Sequence, residues 1–297
     1  MILLSRKRLI FISLLKQYDE QLFQPRNENE MELVKINLKK FESIKRSLTY
    51  FCYSSLTMSV IAPYFHQEPF GLPFEAWYPI DMSYCLYVAA YIHQTIAITL
   101  LAFGFIFGEI LVIQSMTFVG LQCDLLCYRL KSIKVKQNSD KENKIILTEY
   151  VRNHLMILKF LDITGEMYGM TYLLQLFACT TTFCTGLFLL TVTENSFEYF
   201  YLLSYIMAQS FLLLTPCWSA TQMTRKSEKI PTAAYSADWI HGTNSFKQML
   251  ILIILRSQTP MKFYAGNFFE LSLDTYVSIC RASYSYFTLL SKMTNEK

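Results

Sequence analysis

Seven polar residues near the C-terminus fall at helical spacing. Glu270, Asp274, Ser278, Arg281, Ser285, Thr288 and Lys292 follow one another at steps of 4, 4, 3, 4, 3 and 4, close to the periodicity of one helix face. The rest of that stretch is apolar or aromatic. Carboxylates and hydroxyls in such a row could offer oxygens to a partly hydrated cation, the chemistry of a pore lining. Asp274, Ser278, Arg281, Ser285 and Thr288 are therefore the candidate pore-lining residues. Arg281 suits a cation path only if it pairs with a carboxylate or a neighbouring subunit. The other reading is polar packing against helices of the same bundle, because ionisable groups at membrane depth avoid lipid.

A second constellation is aromatic. Tyr84, Tyr87, Tyr91, Gln94 and Thr95 make one helical stripe, and Tyr201, Ser204, Tyr205 and Ala208 make another. Between His66 and Met82 the prolines 69, 73 and 79 alternate with Phe70, Phe74, Trp77 and Tyr78, a mixture that disfavours helix and reads as an ordered cap. Aromatic walls with a few hydroxyls suit small, mostly apolar organic molecules, whose burial gives affinity while one or two hydrogen bonds fix orientation. Trp77, Tyr78, Tyr84, Tyr87, Tyr91, Gln94, Tyr201 and Tyr205 are the candidate ligand-binding residues. The alternatives are plain helix packing, with tyrosine hydroxyls on backbone carbonyls, and an interfacial aromatic belt around Trp77.

Catalysis finds little support. The four histidines, His66, His93, His154 and His241, are scattered, with no pair at zinc spacing and no phosphate-cradling glycine loop. No catalytic residue, metal site, cofactor or nucleic-acid partner is expected. Of the eight cysteines, five fall inside apolar runs as small apolar residues, and Cys123 and Cys127 sit one turn apart with no disulfide expected. Gly104-x-x-x-Gly108 and Gly165-x-x-x-Gly169 match a close-packing pattern of membrane helices, read here as ordinary helix contact.

These residues need elements to hold them, and the charge distribution supplies them. Met82 to Gly108, Met167 to Thr193 and Tyr199 to Thr224 run for 27, 27 and 26 residues without Asp, Glu, Lys or Arg, and Leu48 to Phe65 adds 18. About 20 residues cross a bilayer core. A soluble helix of that length would carry a charged face. With the striped C-terminal helix, read over Phe263 to Ser291, the count is five spans. The expected fold is all-α, a polytopic transmembrane helix bundle. Residues 1–46 form a cytoplasmic helical segment and 47–297 the bundle, with spans near 47–65, 83–117, 167–192, 199–220 and 267–291. The second span is expected to run on into the cytoplasm and the third to begin well before Met167. A cytoplasmic helical layer covers about 118–165 and 225–262, including an apolar helical stretch from Trp239 to Leu255.

Lys and Arg number 10 in residues 1–46, none in 66–81, 8 in 118–165, none in 194–198, 6 in 225–262 and 3 from 281 onward. The positive-inside rule then puts the N-terminus in the cytoplasm and the C-terminus outside. A G-protein-coupled receptor would have the reverse sidedness. A secondary transporter would show paired broken helices, and none is visible.

In the C-terminal third, Ala233-Ala234-Tyr235 with Trp239, Phe246-Lys247-Gln248-Met249-Leu250, Arg256-Ser257-Gln258 with Pro260, Ala265-Gly266, Leu271-Ser272-Leu273 with Tyr276, and Ser283-Tyr284-Ser285-Tyr286-Phe287 form an ordered series that resembles insect odorant receptors. Leu72-Pro73-Phe74 with Trp77-Tyr78-Pro79, and Pro25-Arg26-Asn27 followed by Glu30, are also similar to that family. A gustatory receptor of the same superfamily is the nearer alternative. The resemblance implies seven spans, of which this chain would hold the third to seventh, so that a partial gene model, a non-functional fragment or a short isoform is expected. It further implies an odorant-binding subunit of a ligand-gated, non-selective cation channel, assembled with the odorant co-receptor as a heterotetramer. Its ligand would be a small volatile organic molecule, and its place the lipid bilayer of the plasma membrane, in sensory-neuron dendrites.

Overall fold

The computed structural model describes residues 21–61, 72–73, 76–77, 84–135, 140–193 and 195–295. A 3-10 turn at Gln21–Phe23 precedes seven helices among these residues: α1 (Glu28–Ile61), α2 (Tyr84–Lys131), α3 (Asp140–Val192), α4 (Ser196–Ser227), α5 (Ile230–Tyr235), α6 (Asn244–Ser257) and α7 (Leu273–Asn295). Two short antiparallel strands, β1 (Tyr264–Ala265) and β2 (Phe269–Glu270), pair Tyr264 with Glu270 and Ala265 with Phe269. With 48 and 53 residues, α2 and α3 are each about 70–80 Å long, more than twice a bilayer core. Both therefore run well beyond any single crossing, as their sequence pattern indicates. Among the described residues three stretches are long and apolar enough to cross a membrane, Tyr84–Lys131, Lys141–Val192 and Ser196–Tyr235, with 18-residue windows of mean hydropathy 2.5, 1.7 and 1.4. The helices of the expected first and last spans, α1 and α7, are not among them, and residues 62–65 of the first lie outside the described residues.

The chain divides into two compact units. The first holds residues up to Glu42, Val112–Leu174 and Pro216–Thr275. Leu125, Leu126, Leu130, Leu147, Phe160, Phe246 and Phe263 are buried, while most of its lysines and glutamates are exposed. On α6 the buried side chains are Phe246, Leu250, Ile253 and Ser257, a stripe at helical spacing.

One charged pair lies inside this core. Arg129 and Glu30 are 2% and 1% exposed. The Arg129 guanidinium donates to both carboxylate oxygens of Glu30, at 3.0 and 2.8 Å, and to the carbonyls of Leu22 and Gln24 at 2.9 and 2.8 Å. Glu30 sits in the first turn of α1 and also accepts the backbone N–H of Arg26 at 2.9 Å, where a carboxylate is favoured by the helix dipole. The end of α2, the start of α1 and the turn before it are thus tied at one point. Nearby, Lys226 of α4 bonds Asp124 of α2 at 2.6 Å and Asn37 of α1 at 2.7 Å.

The second unit, Ser43–Leu111, Gln175–Thr215 and residues from Tyr276 on, is built the other way round. Leu100, Leu101, Phe107, Phe177 and Phe200 are 61–75% exposed, while Gln94, Glu109, Ser55 and Ser283 are buried. Apolar groups outward and polar groups inward is the arrangement that lipid selects, because lipid tails take no hydrogen bonds. Phe51 of α1 stacks on Phe211 of α4 with ring centroids 3.9 Å apart, and Tyr53 meets Phe103 of α2 edge-on at 5.4 Å. Gly186 of α3 lets Ile206 of α4 come within 3.0 Å of where a Cβ would stand.

Three features differ from the sequence reading. The helix expected from Phe263 begins only at Leu273. Gly266 and Asn267 take φ of 59° and 63°, which reverses the chain into the β1–β2 hairpin. The stretch read as helical from Trp239 is turn as far as Thr243, and α6 starts at Asn244. Of the glycine patterns, Gly104, Gly108 and Gly165 have open space for 4 Å around the place a Cβ would occupy, so they do not mark close helix contacts among the described residues.

Burial pushes the Glu30 carboxyl up, but the hydrogen bonds and charges of Arg129 and Arg26 outweigh this and hold it below its ordinary 4.5. The stabilisation it gives is complete above about pH 5 and is lost as pH falls through the lower folded value. Arg129→Met leaves that carboxylate buried without its partner, at a cost of about 3–5 kcal/mol. Thermal unfolding of the detergent-solubilised protein should show a large loss for Arg129→Met, and a smaller one for Glu30→Gln, whose stability falls less steeply with acid than that of the unaltered protein because the Glu30 contribution is gone.

Candidate functional site

The β1–β2 hairpin fixes where α7 starts. The Gly266 N–H donates to the Gly169 carbonyl of α3 at 2.8 Å. A Cβ on Gly266 would lie 2.5 Å from Leu173 Cδ2, so only glycine fits this contact. Leu271 N–H donates to Phe263 O at 2.8 Å, and the Leu273 N–H to Thr221 Oγ1 of α4 at 3.0 Å. Glu270 belongs to β2, pairs with Lys262 at 2.7 Å and therefore drops out of the α7 stripe.

Along α7 the inward face is made by Tyr276, Cys280, Ser283 and Phe287, of which Ser283 is fully buried. Tyr276 shares a 2.7 Å hydrogen bond with Ser210 of α4, and Cys184 of α3 lies 3.9 Å from the Ser283 carbonyl. The five candidate pore residues fall elsewhere: Asp274, Ser278, Arg281 and Ser285 are exposed and Thr288 is half-buried. They share a polar row that is mostly exposed among the described residues. Ser285 donates to the Arg281 carbonyl at 3.0 Å and Thr288 to that of Ser285 at 2.8 Å. Hydroxyls that spend their proton on the helix backbone keep oxygen lone pairs for another partner.

The aromatic candidates are less tightly gathered. Tyr87 and Tyr91 lie with ring centroids 6.3 Å apart, and Tyr91 donates to the Val60 carbonyl in the last turn of α1 at 2.6 Å, the helix-packing role. Gln94 is buried. Thr95, one turn below Tyr91, has a buried hydroxyl with no hydrogen-bond partner among the described residues, whereas Thr99 donates to the Thr95 carbonyl at 2.7 Å. Tyr201 and Tyr205 are half-buried on α4, Tyr84 is exposed, and Trp77 is 86% exposed. Tyr78 and most of the 66–82 loop lie outside the described residues.

His154 is buried, and burial together with the Arg256 charge pushes it down to about 4, so it is neutral at physiological pH. Among the described residues no group of three His, Cys, Asp or Glu is placed to hold a metal. All eight cysteines are free thiols. Sequence reasoning missed the Arg129–Glu30 pair, because nothing in a lone arginine near a helix end marks it as buried.

The chain matches the family model described as 7tm Odorant receptor over residues 1–284, and it belongs to that family. It is 27% identical to odorant receptor 67c of Drosophila melanogaster over 286 residues, covering 94% of this chain and 69% of that receptor. It is 29% identical to odorant receptor 10 of Aedes albopictus over 184 residues, covering 61% of this chain and 49% of that one, about half the length of the Aedes protein. The fold is that of the olfactory receptor OR5 from Machilis hrabei, solved in complex with eugenol, with a TM-score of 0.86 at 18% identity over 96% of this chain and 74% of that chain. The protein is thus a multi-pass membrane protein of a receptor family, not an enzyme.

Gly266→Ala should destabilise the protein by about 1–3 kcal/mol through backbone strain alone, and more through the Leu173 clash. Gly165→Ala, with open space around it, should be neutral or stabilising by up to about 1 kcal/mol in a helix interior. Chemical unfolding of the two variants side by side checks the contrast.

Proposed function

We propose that this chain is the odorant-binding subunit of a ligand-gated, non-selective cation channel assembled with the odorant co-receptor in the plasma membrane, serving olfactory signalling. The observation that carries the reading is the odorant receptor family match over residues 1–284. Five crossings, an inside N-terminus and an outside C-terminus are part of it, supported by the alternation of basic segments along the chain.

The two candidate constellations divide the work. Tyr84, Tyr87, Tyr91 and Gln94, with Tyr201 and Tyr205 and the Trp77–Tyr78 loop, form the walls for a small, mostly apolar ligand. The unpartnered Thr95 hydroxyl supports a ligand with one polar group. Asp274, Ser278, Arg281, Ser285 and Thr288 on α7 line the ion path, which the exposure of the first four supports. A row of exposed oxygens is a surface that neighbouring subunits can close around water. The cytoplasmic helical layer provides further subunit contacts.

Co-expression with the co-receptor in oocytes should give inward cation current on exposure to members of an odorant panel, without any G-protein signalling. Asp274→Asn should change unitary conductance or cation permeability ratios while leaving the odorant concentration dependence close to unchanged, and Thr95→Val should do the opposite. Current that depends on G-protein activation would overturn the channel reading.

A further inference from the structure

The segment between α6 and β1 carries a short motif that neither the ligand reading nor the pore reading uses. Thr259-Pro260-Met261-Lys262 places a hydroxyl before a proline, with a basic residue three positions on. The chain holds one other Thr-Pro pair, Thr215-Pro216, and no Ser-Pro. Thr215 is 8% exposed, lies inside α4 and has Trp218 at the third position. Thr259 is exposed, as are Arg256 and Gln258 before it, and the stretch after α6 is non-helical as far as β1. From Asn244 to Lys262 the chain carries Lys247, Arg256 and Lys262 and no Asp or Glu.

The geometry around the hydroxyl suits an added anion. Arg256 Nη1 donates to Thr259 Oγ1 at 2.8 Å, and that hydroxyl donates to the Arg256 carbonyl at 3.0 Å. A guanidinium already on the oxygen is placed to pair with a phosphate attached to it. Pro260 has no N–H and a fixed φ, so an enzyme groove that is apolar at that position accepts it without leaving a donor unmet. Two bonds hold the residue beyond: Met261 N–H donates to Ser227 Oγ at 3.0 Å, and Thr224 Oγ1 to the Met261 carbonyl at 2.9 Å. Lys262 pairs with Glu270 at 2.7 Å. These contacts must open for the segment to extend into an enzyme groove, so the fold sets how fast the site is offered.

We propose that Thr259 is a phosphorylation site for a proline-directed serine/threonine kinase. Thr259 Oγ1 attacks the γ-phosphorus of ATP, its proton passes to the kinase's catalytic aspartate, and the bond from that phosphorus to the β–γ bridging oxygen breaks to release ADP. The product carries about two negative charges at the end of α6, paired with Arg256, on the segment that leads through the hairpin to α7. The inference rests on the reading that puts residues 225–262 in the cytoplasm, where ATP is, and not on the ligand or pore assignments.

Incubation of the detergent-solubilised chain with a purified cyclin-dependent kinase and ATP, followed by peptide mapping in a mass spectrometer, tests the site irrespective of sidedness. Phosphate should appear on Thr259, persist at that position in Thr259→Ser and be absent from it in Thr259→Ala. Pro260→Ala should slow the transfer about tenfold or more, because the alanine N–H finds no acceptor in the groove. Ser227→Ala, which releases one bond to Met261, should speed it about fivefold. The same phosphopeptide should be present in protein recovered from insect cells treated with a phosphatase inhibitor. A chain left unmodified at Thr259 in vitro, or modified equally fast in Pro260→Ala, would overturn the proposal, and a free peptide from Leu255 to Phe263 tells whether sequence or fold excludes the site. Transfer in vitro with no phosphate in cells would overturn it as well, and tags at the two ends of the chain tell whether the cytoplasmic reading fails with it.

Discussion

The bidentate pair between Arg129 and Glu30 is the interaction on which the first unit depends. Two charges that are almost without solvent cost several kcal/mol each to bury, and only a full set of hydrogen bonds recovers it. Arg129 has that set: both carboxylate oxygens of Glu30 and the carbonyls of Leu22 and Gln24. Such a pair contributes little net stability compared with an apolar core. What it supplies is position, since the guanidinium is satisfied only when α1 starts where it does and the preceding turn folds back toward α2.

The second unit obeys a different constraint. In lipid each backbone group must be satisfied within the chain, and side-chain polarity turns inward. Leu100, Leu101 and Phe107 outside, with Gln94 and Glu109 inside, express that rule within a single helix, α2. The same helix carries Leu125, Leu126 and Leu130 buried in the first unit. A continuous 48-residue helix thus changes its solvent rule along its length. Pro216, inside α4, falls where the division between the units crosses that helix. Proline there removes one backbone hydrogen bond from the helix.

How much of this was legible in the sequence follows from which signals are local. Long uncharged runs mark α2, α3 and α4, because hydrocarbon thickness is read directly as length. The α7 stripe was visible from Asp274 onward, since exposure on one face imposes a period. Glu270 shared the period by coincidence, and the reversal at Gly266–Asn267 takes it off the helix. A positive φ at a glycine is a property of the backbone that spacing does not carry. The family resemblance, drawn from the Ala233 to Phe287 series, holds over the chain. The Arg129–Glu30 pair was not legible. It joins residues 99 positions apart in the chain, and a single sequence records no such pairing.

Everything proposed for the ligand and ion paths requires an odd number of crossings with the basic segments inside. Epitope tags at the two ends, probed by antibody on intact and then permeabilised cells, test this sidedness without further assumptions. The C-terminal tag should be labelled on intact cells and the N-terminal tag only after permeabilisation. External labelling of the N-terminal tag, or both tags on one side, would contradict it.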